Sequence, residues 1–412
     1  MPESCQALKP YVVAVAGTAG SGKSTLARAL ARDVRVPLLD LDTLTNPLLE
    51  HLEAPLGAHW QASAHTASVR AGRYAALRAA MAEVLDTAGA VVLAAPFTAE
   101  LGGGSEWGAL LDAAGSARLH VVRIVGDPEL FAERRAARGA TRDVHRPADR
   151  SPAPAAQIPV IEIDADLTTE QQLARLRRAV GLNRPVKRDA AVFAADFDAV
   201  LFDLDGTLAD STASVNRSWR RFAAEFGVSA AALRRNHGQP ARQLVAKLLG
   251  AERTELGLLR ITELEVADAV GVQAVPGAQD FLASVPESQR AIVTSGSVPI
   301  AAARLAAAGL TPPAVMVTVE DVTFGKPDPE PYLLAARRLG VDPRRCLVVE
   351  DAQAGIEAAQ RAGCTVLALS GTEPFSALAG AALVVDGLDR VKLSLAAGRL
   401  RLVAAASATS GD

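Results

Sequence analysis

The 412-residue sequence is poor in cysteine and aromatic residues, has no long apolar run, and carries almost no excess of either charge. Its three cysteines, Cys5, Cys346 and Cys364, are too few and too far apart for a zinc module or a disulfide framework. Two of them sit in apolar, strand-like stretches where a buried thiol is expected. The formal charge of −3 argues against a nucleic acid as main partner, because a polyphosphate backbone demands a clear basic excess. A few local cations would still suffice for small anions. The longest apolar runs, such as 91–97 and 347–349, fall short of the roughly 20 residues that cross a bilayer, so no membrane partner is expected. The opening MPESCQALKP lacks a basic stretch followed by an apolar segment, so it does not read as a secretory signal and a cytoplasmic location is expected. Oligomeric state is left open.

What is present is an ordinary globular balance, 50 % hydrophobic and 22 % charged, at a length that implies two domains of about 200 residues. Short β-like runs at 12–16, 38–41, 91–95, 120–125 and 159–163 alternate with helical patterns, as in a parallel α/β sheet covered by helices. A final helix carries Leu173, Leu176 and Val180, with Thr168 or Thr169 as its cap. A second alternation follows, with strands at 199–202, 291–294, 314–317, 346–350, 365–369 and 383–386. Between its first two strands, residues of about 211–273 show helical patterns only and read as a small inserted cap. The expected organisation is a tail at 1–9, a first domain at 10–182, a linker at 183–196, a second domain at 197–395 and a C-terminal tail at 396–412. The proline-rich stretch 146–159 is not the boundary, since a cut there would orphan the strand and helix of 159–180.

In the first half, Gly17-Thr-Ala-Gly-Ser-Gly-Lys-Ser24 fits G-x-x-x-x-G-K-[ST] between an apolar strand and a helix. Gly17, Gly20 and Gly22 let the backbone curl with its amides inward, beside Ser21 and Thr25, and the helix adds its positive end. Such a loop holds the phosphates of ATP, with Lys23 on the β and γ oxygens and Ser24 on Mg2+. Beyond the loop, residues of about 10–182 resemble the nucleoside-monophosphate and shikimate kinase-like phosphotransferases. The resemblance implies that Asp40 and Asp42 stand where a carboxylate pair binds magnesium and positions the acceptor, with Asp42 as candidate base. A capping role at the strand-to-helix turn is the alternative. Arg134, Arg138 and Arg142 recur every fourth residue on one helical face and look like a lid facing the transferred phosphoryl group, or else a solvated basic face. The strand at 91–95 ends without the usual acid. Arg73 reads as a surface helix arginine, with contact to an anionic group of the acceptor as the alternative, and His51, His59 and His65 read as loop or surface residues without metal-ligand spacing.

In the second half, Asp203-Leu-Asp-Gly-Thr-Leu208 follows the apolar run 199–202, and residues of about 197–390 resemble the haloacid dehalogenase superfamily. The expected fold is a Rossmann-like core with the helical cap. Two aspartates two apart on an extended chain project the same way, so both can face one phosphorus centre. The resemblance implies Asp203 as nucleophile and Asp205 as acid and base. Thr294, Ser295 and Gly296 would bind phosphoryl oxygens, and Lys326 in Gly325-Lys-Pro-Asp-Pro329 would neutralise the nucleophile. Glu350 and Asp351 would hold Mg2+ with Asp203 and the Asp205 carbonyl. The cap resembles that of β-phosphoglucomutase-like proteins, and several motifs resemble sugar-phosphate and glycerol-phosphate phosphatases. His237 and Arg242 would then face substrate from a cap loop, while Trp219 reads as cap core.

These features point to a bifunctional phosphoryl-transfer enzyme: an ATP-dependent small-molecule kinase followed by a Mg2+-dependent phosphatase acting on a phosphorylated metabolite. The alternatives are a phosphatase with a regulatory nucleotide-binding domain, or a mutase-like second domain.

Overall fold

The computed structural model describes residues 10–56, 65–138, 155–182, 190–229, 232–233 and 241–404. The chain divides into two compact units, Met1–Leu182 and Asn183–Asp412. Among the described residues no helix is long and apolar enough to cross a membrane.

The first unit alternates β1 (Tyr11–Ala16), α1 (Lys23–Val34), β2 (Leu38–Asp40), α2 (Leu41–Leu56), α3 (Thr66–Ala88), β3 (Ala90–Ala94), α4 (Gly104–Ala114), β4 (Arg118–Val125), α5 (Pro128–Arg138), β5 (Ile161–Asp164) and α6 (Thr169–Ala179). Its five strands lie parallel in the order β2-β3-β1-β4-β5. Side chains of β1 alternate between two cores: Val13 and Val15 pack on one face, Val12, Ala14 and Ala16 on the other. Burial on both faces is why the strand reads as an unbroken apolar run. Thr168 caps α6 through a reciprocal pair of bonds with Gln171, so that helix starts where the sequence placed its cap.

The second unit has a six-stranded parallel sheet ordered β10-β9-β6-β11-β12-β13, built from β6 (Ala199–Phe202), β9 (Arg290–Val293), β10 (Val315–Val317), β11 (Cys346–Glu350), β12 (Thr365–Leu369) and β13 (Leu383–Val385). The ends of β6, β9 and β11 are therefore neighbours at the centre of the sheet, which brings together three motifs about 150 residues apart at the extremes. Between β6 and β9, the pair β7 (Ala209–Asp210) and β8 (Gln273–Ala274) runs antiparallel, so both crossings into the insertion are tied together at its base. The insertion itself holds α8 (Thr212–Phe226), α9 (Ala241–Leu249) and α10 (Thr254–Ala267) around Trp219, Phe222, Leu244, Val245, Ile261 and Leu264. Trp219 is cap core, meeting Phe222 edge to face at 5.3 Å. After β8 come α11 (Ala278–Ala283), α12 (Val298–Ala307), α13 (Glu330–Leu339) and α14 (Gln353–Arg361).

Two readings of the chain's connecting segments change. Residues 399–404 are not tail: β14 (Val391–Ala396) and β15 (Arg399–Ala404) form a hairpin whose Leu400 and Leu402 are fully buried, and Leu400 bonds Phe197 through both backbone groups. Within the expected linker, α7 (Ala190–Ala194) buries Val192 in the same core. Both pieces are apolar surface that the sheet needs covered, a requirement invisible until the partners are known.

Candidate active site

In the first unit, the loop between β1 and α1 lies at the carboxyl end of the central strand, with α1 opening at Lys23. Gly20 has φ of +87°, and a Cβ there would lie 2.3 Å from the Phe131 carbonyl oxygen, so the loop can sit against α5 only as glycine. Arg135 donates to the Ala19 carbonyl at 2.8 Å and braces the same loop. Ser21 is fully buried, with a hydroxyl that makes no hydrogen bond.

Asp40 is at the end of β2, where one carboxylate oxygen accepts from the amides of Asp42 and Thr43 at 3.1 and 3.2 Å, capping α2. Arg73 is not a surface arginine. It is 7 % exposed and donates to Asp42 at 2.7 Å, Thr45 Oγ1 at 2.7 Å and Asn46 at 3.0 Å. Its turn of α3 faces α2, which periodicity alone does not reveal. Arg134 donates to the Ala165 carbonyl at 2.9 Å, while the side chain of Arg138, and Arg142, lie outside the described residues. Beyond β3, Glu100 is 3 % exposed beside Arg70 and Tyr74, and burial raises its pKa. Its one mark in the sequence is its place, an acid just after the acid-less strand.

In the second unit, Asp203 follows β6, Thr294 follows β9, Glu350 ends β11 and Asp351 follows it. Lys326 Nζ lies 2.6 Å from Asp203 Oδ1, 2.7 Å from Glu350 Oε1 and 3.0 Å from the Val293 carbonyl oxygen. Thr207 donates to Asp351 Oδ1 at 3.2 Å, whereas Asp351 Oδ2 is buried and makes no hydrogen bond. Carboxylate oxygens of Asp203, Glu350 and Asp351 all lie within 4.8 Å of one another. Burial, opposed by Lys326 and reinforced by Glu350 and Asp205, pushes the Asp203 carboxyl up to about 7. Burial and the carboxylates of Asp203 and Glu350 likewise raise Asp351. Burial also works against the Lys326 charge, but the two carboxylates outweigh it and hold its pKa above the ordinary value.

Thr294 is 4 % exposed and its hydroxyl accepts from the Gly296 amide at 3.0 Å, shaping the turn that carries Ser295. Asp205 is paired on both oxygens, with Ser211 Oγ at 2.6 Å and Arg304 Nη1 at 2.6 Å.

A family model for haloacid dehalogenase-like hydrolases matches residues 197–363. Hexitol phosphatase A of Escherichia coli (strain K12) is 38 % identical over 200 residues, 47 % of this chain and 93 % of that protein. The chain belongs to the haloacid dehalogenase-like hydrolases. Validoxylamine A 7'-phosphate phosphatase of Streptomyces hygroscopicus subsp. limoneus is 35 % identical, covering 48 % of this chain and 96 % of that protein. 2-Deoxyglucose-6-phosphate phosphatase 2 of Saccharomyces cerevisiae is 31 % identical, covering 48 % and 90 %. A separate AAA domain model matches residues 12–161, so the hydrolase carries a P-loop unit ahead of its own core.

One expected placement in this hydrolase changes, and another residue does more than its expected role. Glu350 stands with Asp203 and Asp351 in the acidic group that could hold a metal ion, and its carboxylate also accepts hydrogen bonds: Oε1 from Lys326 and from the Tyr332 hydroxyl at 2.7 Å, and Oε2 from the amides of Asp351 and Ala352 at 3.0 and 3.2 Å. It therefore also anchors Lys326. Gly355 makes room for it, since a Cβ there would lie 1.6 Å from Glu350 Oε1. Arg242 was expected on a substrate-facing loop, but it is on α9, exposed, in an ion pair with Glu255. His237 lies outside the described residues. Tyr332, Arg304 and Glu265 were missed, because nothing local to their segments distinguishes them from ordinary helix residues.

The acidic group of Asp203, Glu350 and Asp351 could hold a divalent cation such as the expected Mg2+, and the unbonded Asp351 Oδ2 is an acceptor that burial would otherwise leave unsatisfied. The raised Asp203 pKa has a consequence for stability. The folded protein holds a proton there that the unfolded chain releases, so this stabilisation is complete below 3.8, declines as pH rises, and is lost above about 7. The melting temperature in EDTA is therefore expected to fall between about pH 5 and about pH 8, and added Mg2+ to raise it more at the higher pH, since cations bind the ionised carboxylates. Equal Mg2+ shifts at both pH values would remove Asp203 and Asp351 as ligands.

Proposed function

We propose that the second unit is a Mg2+-dependent phosphatase of sugar or polyol phosphates that works through an aspartyl-phosphate, and that the first is an ATP-dependent kinase of a small hydroxylated metabolite. The observation that carries the phosphatase reading is Lys326: one buried ammonium bonded to both Asp203 and Glu350, beside an unbonded Asp351 oxygen. A carboxylate attacking a phosphate dianion meets strong repulsion in a dry pocket, and this arrangement offsets it. The names of the three relatives above support sugar and polyol phosphates as the substrate class.

Lys326 holds Asp203 Oδ1 at 2.6 Å, and an Asp203 oxygen forms the bond to phosphorus as the bond to the departing alcohol oxygen breaks. Asp205 gives that oxygen its proton, then takes one from the water that opens the aspartyl-phosphate. The turn after Thr294 would receive phosphoryl oxygens, although its Gly296 amide donates to the Thr294 hydroxyl. Bound Mg2+ would neutralise the phosphoryl charge at Asp203 and Asp351. Phosphate release measured over a panel of sugar, polyol and nucleotide monophosphates with Mg2+ tests the reading, and silence across the panel would sink it.

The kinase reading is supported by the phosphate loop and the AAA domain match. Lys23→Met is expected to weaken ATP binding roughly 10- to 100-fold, the loss of one charge-assisted contact set. A titration of wild type and variant with ATP measures it, followed by a search for transfer to polyols. The pairing of Asp42 with Arg73 favours a second reading, in which the first unit binds ATP and regulates without transferring phosphate. ATP binding abolished by Lys23→Met, with no acceptor phosphorylated, would select that reading.

A further inference from the structure

A buried ion network reaches from the core of the second unit into its cap. Arg304 on α12 is 3 % exposed. Its Nη1 lies 2.6 Å from Asp205 Oδ2, and its Nη2 lies 2.8 Å from Glu265 Oε2 on the cap helix α10. Glu265 is itself buried, and the Arg304 Nε is buried without a hydrogen bond. Neighbours Ile300, Ala301 and Leu305 are apolar, so an aliphatic side chain at 304 would suit the helix face. Two carboxylates around one imperfectly satisfied guanidinium are a poor device for stability alone, since well-packed apolar groups often replace such triads at no loss. The network is explained by what it holds.

We propose that Arg304 is a positioning residue for Asp205, and that Glu265 makes this positioning depend on the seating of the cap. The inference rests on the phosphatase reading, from which Asp205 takes its role. One arm of the guanidinium holds Asp205 Oδ2 while the other holds Glu265, and with Ser211 on Oδ1 the two contacts set the plane of the carboxyl group. Oδ1 is left with the Ser211 hydroxyl, a rotor that can donate or accept, and is therefore the oxygen that carries and delivers the proton. In the first half-reaction the Asp203 oxygen bonds to phosphorus and the bond from phosphorus to the leaving oxygen breaks. The electron pair stays on that oxygen, which takes the proton from Asp205 Oδ1, giving aspartyl-phosphate and a neutral alcohol. An alkoxide cannot depart well without this proton, whereas para-nitrophenolate can. Dependence on Arg304 is thus dependence on the leaving group. The cap has an apolar core of its own, separate from the cores of the sheet. A change in its seating moves Glu265, and with it the carboxylate oxygen that accepts from Arg304 Nη2, so the acid is aimed only when the cap is in place.

The experiment measures kcat/KM of the full chain for glycerol phosphate, or for whichever polyol phosphate the wild type turns over best, and for para-nitrophenyl phosphate. The variants are Arg304→Gln, Arg304→Lys and Glu265→Gln. Since kcat/KM ends with departure of the leaving group, the alkyl-to-aryl ratio isolates proton delivery, and it cancels the fraction of folded enzyme. Arg304→Gln is expected to lower the ratio roughly 100-fold, the scale of general acid catalysis. Arg304→Lys should lower it less, and Glu265→Gln several-fold. A ratio unchanged within about twofold in Arg304→Gln overturns the proposal, as does an equal loss on both substrates. If that variant does not fold, unchanged ratios in Arg304→Lys and Glu265→Gln overturn it in the same way. A wild type that turns over neither phosphate overturns the phosphatase reading instead.

Discussion

Asp203→Asn is expected to lower phosphate release from any polyol phosphate by at least about 1,000-fold, the loss that follows removal of a covalent nucleophile. Asparagine keeps an oxygen that can accept from Lys326 Nζ, so the bond at 2.6 Å need not be lost. It removes the charge and the nucleophilic lone pairs. It also removes one of three buried carboxylates that oppose one another, and with it the proton that burial holds up to about 7. The metal-free variant should therefore melt no lower than wild type at about pH 8, with a flatter dependence on pH. Phosphate release and melting curves on the same preparation separate chemistry from folding. A variant that is folded and retains a tenth or more of wild-type turnover would remove Asp203 as nucleophile.

Lys326→Met should act on stability as well as catalysis. The ammonium is 7 % exposed and supplies the cation for Asp203 and Glu350, with Asp351 close by. Removing one partner of a buried ionic cluster costs about 3–5 kcal/mol, because the carboxylates left behind have neither water nor counter-charge. For a unit of this size that is a melting-temperature drop of roughly 10 °C. The sign with pH follows from the carboxylates. At about pH 5 Asp203 can take up a proton and relieve the repulsion, so the destabilisation should be smaller there than at about pH 8. Activity should fall at every pH, since Lys326 is the side-chain cation bonded to the nucleophile. A variant as stable as wild type at the higher pH would mean that the cluster is balanced by something other than Lys326.

The separation between what could be read and what could not is visible within single motifs. The phosphate loop is recognisable because its chemistry is local: glycines, lysine and serine within eight residues, between a strand and a helix. Asp203 and Asp205 are recognisable for the same reason. Glu350 was found in its motif, but its bonds to Lys326 and Tyr332 could not be read there, because those partners come from separate segments. Arg73, placed at the surface by reading α3 alone, is buried because α2 supplies Asp42, Thr45 and Asn46. The segment 399–404 looked like a tail because short alternating runs near a terminus carry no mark of the core they cover.

By itself the sequence determined two α/β sheets, the helical insertion, the phosphate loop and the aspartates at the first strand end of the second unit. Apolar periodicity and contiguous motifs depend only on neighbours along the chain. Tertiary structure alone decided which buried charges meet: Lys326 with Asp203 and Glu350, Arg304 with Asp205 and Glu265, Arg73 with Asp42. The energy of an ion pair is set by a distance of a few ångströms and by the water excluded around it, and neither is fixed until distant segments pack.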